Sequence, residues 1–265
     1  MKTIVITGST RGIGLGLADE FLKRSCNVVV SGRSAASVEK AVAQLAASHD
    51  ASRIHGCACD VNNLAQVQAL WDSAQARFAR IDIWINNAGI TNPHVPLTKL
   101  DEATVRNVVN TNLVGAIFGS QVAVRGMLVQ GGGQLYNMEG FGSDGRVGDG
   151  LALYGATKAG LRYLTRALLR ETKHTPVQVC FLSPGMVMTD LWEELYEGQP
   201  EKWEKAKKFV NILGDKVETV APWLVAQVLA NNKAGAQIKW LTTGKAFGRF
   251  MSAPFKKRDL FAEAK

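Results

Sequence analysis

The run Thr3-Ile4-Val5-Ile6-Thr7-Gly8-Ser9-Thr10-Arg11-Gly12-Ile13-Gly14 decides the fold. Its β-branched opening reads as a short buried strand, and from Ile13 onward the apolar residues take the period of a helix. Between the two, glycines stand where a backbone must turn sharply, pass close to a pyrophosphate and let a helix pack tightly. Strand, glycine turn and helix in that order specify a dinucleotide-binding βα unit. Gly8, Ser9, Arg11, Gly12, Ile13 and Gly14 are therefore expected to line a nucleotide.

Outward from this unit the chain repeats the same alternation. Strand patterns occupy 3–7, 27–31, 53–59, 81–86, 134–138, 177–182 and 237–241, and helical patterns 13–23, 35–47, 64–78, 102–129, 151–171 and 217–230. Alternating β and α elements predict an α/β fold, a Rossmann-like doubly wound parallel sheet of about seven strands with helices on both faces. No linker or charge run interrupts the 265 residues, 46% of them hydrophobic, so a single domain over 1–265 is expected. No apolar run approaches the roughly 20 residues of a membrane span. Because the first strand starts at Thr3, no signal or transit peptide is expected ahead of the fold.

In such sheets ligands bind beyond the carboxyl ends of the strands, so the residues after each strand carry the function. The second strand is followed by Ser31-Gly32-Arg33-Ser34, without the Asp or Glu that binds an NAD ribose. Arg33 with Arg11 can hold a 2'-phosphate, with Ser34 beside them, which favours NADP(H). Asp60-Val61 ends the third strand, where an aspartate can bond the adenine amino group, and Asn87-Ala88-Gly89 follows the fourth, where small residues let the backbone pass close to a cofactor. Tyr154 and Lys158 stand four apart on a helical pattern and share a face. A cation there would favour the phenolate and turn Tyr154 into a tuned acid/base.

Together these motifs resemble the classical short-chain dehydrogenase/reductase family over nearly the whole chain. The resemblance implies Tyr154 as proton donor to a carbonyl, Lys158 as the group that lowers its pKa and bonds the nicotinamide ribose, and Asn112 as holder of a proton-relay water. Pro184, Gly185, Val187 and Thr189 match the segment that bonds the nicotinamide. The family's serine after the fifth strand is missing: Asn137-Met138-Glu139-Gly140 has glycine in its place. Ser143 in the following loop is either a substitute or a turn residue. The segments 136–145, 154–158, 239–242 and 253–257 are similar to the family's chlorophyll b reductase subgroup. That implies reduction of a formyl group on chlorophyll b or chlorophyllide b, and a plastid stroma location if a transit peptide has been removed, otherwise a cytoplasmic one. Steroid-like, quinone or other apolar carbonyl substrates stay open, as does a non-catalytic NADP(H) sensor.

Residues 189–215 have the character of a substrate lid, and their aromatics, including Trp192, Tyr196, Trp203 and Phe209, either face a large apolar substrate or form the inner face of two helices. The net charge of +8 is concentrated late, and the tail 244–265 combines Phe247, Phe250, Met251 and Phe255 with basic residues. Such a stretch can make peripheral membrane contact, or pack on its own domain or another subunit. A homodimer or homotetramer through the helices at 102–129 and 151–171 follows from the resemblance. Nucleic acid is not expected, since no basic patch interleaves with a stacking platform. Cys57 and Cys59 lack a second ligand pair, so no metal is expected, and the four histidines read as surface or loop residues.

Overall fold

Thr3–Ile6 forms β1, with all four residues buried, and it runs through the glycine turn into α1 at Gly12–Lys23. The computed structural model describes residues 1–255 and 258–261. The tail residues Lys256, Lys257 and Lys265 counted in the basic excess lie outside the described residues. After α1 come β2 (Asn27–Gly32), α2 (Ala35–Ala46), β3 (Ile54–Ala58), α3 (Leu64–Phe78) and β4 (Ile83–Asn86). The second half holds α4 (Glu102–Val109), α5 (Gly115–Val129), β5 (Gly133–Met138), α6 (Ala152–Glu171) and β6 (Val177–Ser183). Then follow β7 (Met186–Met188), α7 (Leu191–Leu195), α8 (Pro200–Leu213), β8 (Gly214–Lys216), α9 (Val217–Ala230), β9 (Gln237–Lys239) and α10 (Thr243–Ser252).

Seven strands make one parallel sheet in the order β3-β2-β1-β4-β5-β6-β9. The order reverses between β1 and β4, and the crevice at that switch point is where such a sheet binds ligands. Successive residues of a strand point to opposite faces, so a sheet covered on both sides needs apolar residues at every position. Ile4, Ile6, Val28, Val30, Ile83 and Ile85 join one core with α1, α2 and α9, while Val5, Val29, Trp84, Leu135 and Val179 join the other with α3 and α5. Trp84 is fully buried on Trp71 of α3, ring centroids 6.0 Å apart, and each such side chain contributes roughly 1.5–3 kcal/mol.

The seven expected strands and the single doubly wound sheet are present, with ends displaced by one or two residues. Two expectations need correction. The helix at 102–129 is interrupted by a π-helical turn at Asn110–Val114, a feature that local period does not signal and that often marks a functional position. This stretch is also long and apolar enough by length and composition to cross a membrane, contrary to the sequence reading, but here its buried side packs on the sheet and α3. The small parallel pair β7–β8 was not expected at all. It closes the base of the 189–215 segment, pairing Val187 with Asp215.

Candidate active site

At the switch point the glycine turn is held by the end of β4. Asn87 Nδ2 donates to Thr7 O and Gly8 O at 2.9 Å each, and the Asn87 and Ala88 N–H groups both donate to Thr7 Oγ1, at 3.0 and 3.1 Å. Gly8 has φ +62°, and a Cβ there would lie 2.8 Å from Ala88 Cα. Only glycine suits both demands. Ser9 Oγ crosses to β2, donating to Ile6 O and accepting from the Ser31 N–H. Gly12 faces Thr189, and Gly14 packs against Gly8 O and the Asn87 amide, so the turn, the β4 end and the segment after β6 meet at one place, beside Ile13 at the start of α1.

The two arginines expected beside a 2'-phosphate part company. Arg33 is exposed after β2 and makes no ion pair among the described residues, next to Ser34, whose Oγ caps α2 by accepting the Ser37 N–H at 3.2 Å. Arg11 instead reaches the 189–215 segment, bonding Asp190 at 3.3 Å and Glu194 at 2.7 Å. Its charge is satisfied by Asp190, which precedes α7, and Glu194 within it, both far from Arg11 in sequence. Asp60 Oδ1 accepts the Asn62 N–H at 3.0 Å, and Val61 is buried against Gly115 at the start of α5. Asp60 and Val61 thus stand at the β3 end, at the rim of the same crevice.

Asn112 is fully buried on the π-helical turn. Its Oδ1 accepts the Ile90 N–H at 2.8 Å, while Nδ2 donates to Ile90 O and Thr157 Oγ1. A Cβ on Gly89 would lie 3.3 Å from Asn112 Oδ1 and 3.6 Å from Lys158 Nζ, so amide and ammonium converge on the backbone after β4. Lys158 is 4% exposed and donates to Met138 O at 3.0 Å. Its Nζ lies 5.8 Å from the centre of the Tyr154 ring.

Tyr154 and Lys158 share a face of α6 as expected, but their electrostatics differ from the sequence reading. Burial pushes the Tyr154 hydroxyl up to about 12 and the Lys158 ammonium down to about 8. Both shifts come from loss of solvation, opposed at Lys158 by the Glu139 carboxylate, while the Nζ is committed to a carbonyl. The segment that carries Tyr154 is also held from a distance. Leu151 at the start of α6 gives no side-chain cap, and Asn92 Oδ1, in the loop after β4, accepts the Tyr154 N–H at 3.2 Å. Asn92 also donates to Gly150 O, tying two loops together. An Asn-Pro pair in a loop is the one local signal that could have drawn attention to it.

Gly140 stands where the missing serine would be, and it is packed against the phenol: a Cβ there would lie 2.4 Å from the Tyr154 hydroxyl. Ser143 is 7% exposed. Its Oγ accepts the Gly140 N–H at 3.0 Å and its N–H donates to Gly140 O at 3.1 Å, closing the turn that carries the chain past Tyr154. Glu139, the residue before Gly140, is a group that sequence reading does not single out; it is buried and paired with Arg162 at 2.6 Å.

Pro184 and Gly185 turn the chain out of β6, and Val187 and Thr189 follow at the mouth of the site. The Val187 carbonyl accepts the Trp192 indole N–H at 2.9 Å. The aromatics of 189–215 stack on one another: Trp192 on Tyr196 at 8° between planes, Tyr196 on Trp203, and His94 on Tyr196 with centroids 5.0 Å apart. His94, expected as a plain loop residue, thus joins the cluster. Phe209 contacts Phe250 of α10. The tail is pinned to its own domain at Asp215, 3% exposed, which accepts from Trp240 Nε1, Arg249 and Arg258. Phe247, Met251 and Phe255 remain exposed on the outer side.

Among the described residues no group of three or more His, Cys, Asp or Glu could hold a metal. The arrangement provides a proton donor, a buried cation and a turn shaped for a pyrophosphate at one crevice, which is the equipment of hydride transfer to or from a carbonyl carbon.

Comparisons with known proteins agree with this geometry. A model of the short chain dehydrogenase family matches residues 2–200. The chlorophyll(ide) b reductase NOL of Oryza sativa subsp. japonica is 40% identical over 258 residues, spanning 94% of this chain and 74% of that protein. The NOL protein of Arabidopsis thaliana is 40% identical over 259 residues, spanning 94% and 72%. Among similar solved structures, an actinorhodin polyketide ketoreductase with NADPH has a TM-score of 0.77 at 26% identity over 89% of this chain and 95% of its own. A serine dehydrogenase complexed with NADP+ has a TM-score of 0.77 at 25% identity over 89% and 93%. The chain is accordingly an oxidoreductase and belongs to the short-chain dehydrogenase family.

Proposed function

We propose that the chain is an NADPH-dependent carbonyl reductase acting on a large apolar aldehyde, the formyl group of chlorophyll b or chlorophyllide b, which it reduces to hydroxymethyl. The observation that carries the chemistry is the convergence of Asn112 and Lys158 on Gly89 at the switch point, with Tyr154 four residues before Lys158 on α6 and its hydroxyl against Gly140. NADPH, when bound, supplies the hydride. The glycine turn from Gly8 to Gly14 suits its pyrophosphate, Arg33 its 2'-phosphate with no carboxylate beside it, Asp60 and Val61 its adenine, and Lys158 its nicotinamide ribose. Pro184, Gly185, Val187 and Thr189 would bound the nicotinamide.

Tyr154 donates its hydroxyl proton to the carbonyl oxygen as charge develops there. A hydroxyl raised to about 12 holds that proton firmly at neutral pH, so the enzyme starts from the correct protonation state. Lys158 then stabilises the phenolate left behind, and Asn112 anchors the backbone along which the proton is replaced. Ser143 orients the substrate only through the turn it closes at Gly140. The substrate assignment draws on the names of the similar plant reductases and on the glycine that leaves backbone, not a side chain, beside the phenol.

The same reading extends to setting. We place the enzyme in the plastid stroma, following the chloroplastic description of those relatives. Residues 189–215 act as the substrate lid, the exposed face of α10 touches a pigment-bearing membrane peripherally, and two or four copies associate through α5 and α6.

The test is NADPH consumption by purified protein against a panel of carbonyls containing chlorophyllide b, a quinone and a steroid ketone. Preferred turnover of the formyl pigment, with a lower KM for NADPH than for NADH, is expected. Preference for a steroid or quinone would overturn the substrate assignment, and NADPH binding without consumption of any carbonyl would overturn the reductase reading in favour of a sensor.

A further inference from the structure

Glu139 and Arg162 have no part in the chemistry just described, yet they form a buried ion pair against the residues that do. Glu139 follows Met138, whose carbonyl accepts from Lys158 Nζ. The Glu139 N–H donates to Leu182 O on β6 at 2.7 Å, which fixes the strand end and aims the carboxylate at α6. Arg162 Nη1 meets Glu139 Oε1 at 2.6 Å, with side-chain exposures of 15% and 6%. The guanidinium also lies 5.5 Å from the centre of the Phe181 ring. Tyr154, Lys158 and Arg162 are spaced four apart and therefore run along one face of α6.

Two cations one helical turn apart, both largely removed from water, repel each other. A carboxylate set against the outer one relieves that conflict. The other charged groups facing Glu139 are Lys239 of β9 and Asp144 of the loop after β5. These approach each other to 3.7 Å, and Asp144 is also held by Arg146 at 2.8 Å. Their charges thus largely offset, and Arg162 is the partner that decides the Glu139 environment. Glu139 in turn favours the charged form of Lys158, against the burial that lowers it.

We infer that Glu139 and Arg162 are positioning residues for Lys158: their pair anchors the strand end that offers Met138 O to the ammonium, and its carboxylate keeps Arg162 from discharging the lysine. The kinetic consequence rests on the carbonyl reductase reading, whereas the charge of Lys158 does not.

The experiment follows Lys158 directly, by NMR titration of protein labelled at lysine Cε, with Lys158→Arg assigning the resonance, and in parallel the pH profile of kcat/KM for NADPH-dependent carbonyl reduction. Glu139→Gln should displace the Lys158 titration and the alkaline limb of kcat/KM to lower pH by about one unit. Arg162→Leu should displace both to higher pH, and the double variant Glu139→Gln/Arg162→Leu should return them toward the wild-type position. Glu139→Asp should stay close to wild type. Absence of displacement, displacement of both single variants in one direction, or a double variant no nearer wild type than Glu139→Gln would overturn the inference. An enzyme inert toward every carbonyl would sink the reductase reading and leave the NMR titration to decide this one.

Discussion

The ends of β4 and β5 lie side by side in the sheet and face the same crevice, but they are built on opposite principles. After β4, Asn87 and Ala88 are satisfied entirely by uncharged hydrogen bonds to Thr7 and Gly8, so the strand end and the glycine turn form one rigid unit. After β5, a buried carboxylate, a buried ammonium one turn of α6 away from an arginine, and a glycine against a phenol occupy the corresponding positions. Shape is what the first region supplies, and a rigid, neutral network supplies it best. Charge and proton transfer belong to the second, where burial is what moves the ionisation of Tyr154 and Lys158.

That contrast can be broken most severely at the phenol. Tyr154→Phe removes the proton donor without touching the β4 side; turnover should fall by about 10²–10⁴-fold while NADPH affinity, followed by nucleotide fluorescence, changes little. An equal loss of NADPH affinity would mean that the two strand ends do not divide their tasks in this way.

Gly140→Ser places a hydroxyl beside the phenol, yet its Cβ would press on the Tyr154 hydroxyl. Overpacking costs about 1–3 kcal/mol, so Tm should fall by roughly 2–6 °C, and displacement of the phenol should lower kcat by about 10- to 100-fold. A faster enzyme would show that the site merely lacks its serine.

On the β4 side, Asn87→Ala strips the partners from Thr7 O and Gly8 O. Unsatisfied buried groups cost about 1–3 kcal/mol, so Tm should fall by roughly 2–6 °C. NADPH affinity should weaken along with it, while the pH profile of the remaining activity stays where it was. A displaced pH profile would show charge coupling across the two regions.

The smallest effect is expected at Ser143. Ser143→Ala leaves the Gly140 N–H without its acceptor and should lower kcat by less than about tenfold, since it loosens a turn by roughly 1 kcal/mol without removing a reacting group. A loss as large as that of Tyr154→Phe would restore Ser143 as the substitute hydroxyl.

Much of the first region was legible from residues alone. The β1 strand, the glycine turn and the small residues of Asn87-Ala88-Gly89 advertise themselves because their constraints are local: burial of a short apolar run, positive φ at Gly8 and close backbone approach. Tyr154 and Lys158 could be placed on one helix face by spacing. Their ionisation could not, because it depends on how deeply α6 is buried and on the Met138 carbonyl, which belongs to a different element. Asn92 capping α6 across 62 residues, Arg11 turned toward Asp190 and Glu194, and the tail fastened at Asp215 are all contacts between distant segments that no window of sequence contains.

The sequence by itself determined the strand order's raw material, the glycine turn and the sharing of one helix face by Tyr154 and Lys158, because periodicity, glycine placement and helical spacing act over a few residues. Only the tertiary structure decided which charges are buried together. Hydrogen bonds and ion pairs reach a few ångströms in space, and the fold alone brings Glu139, Lys158 and Arg162 within that reach.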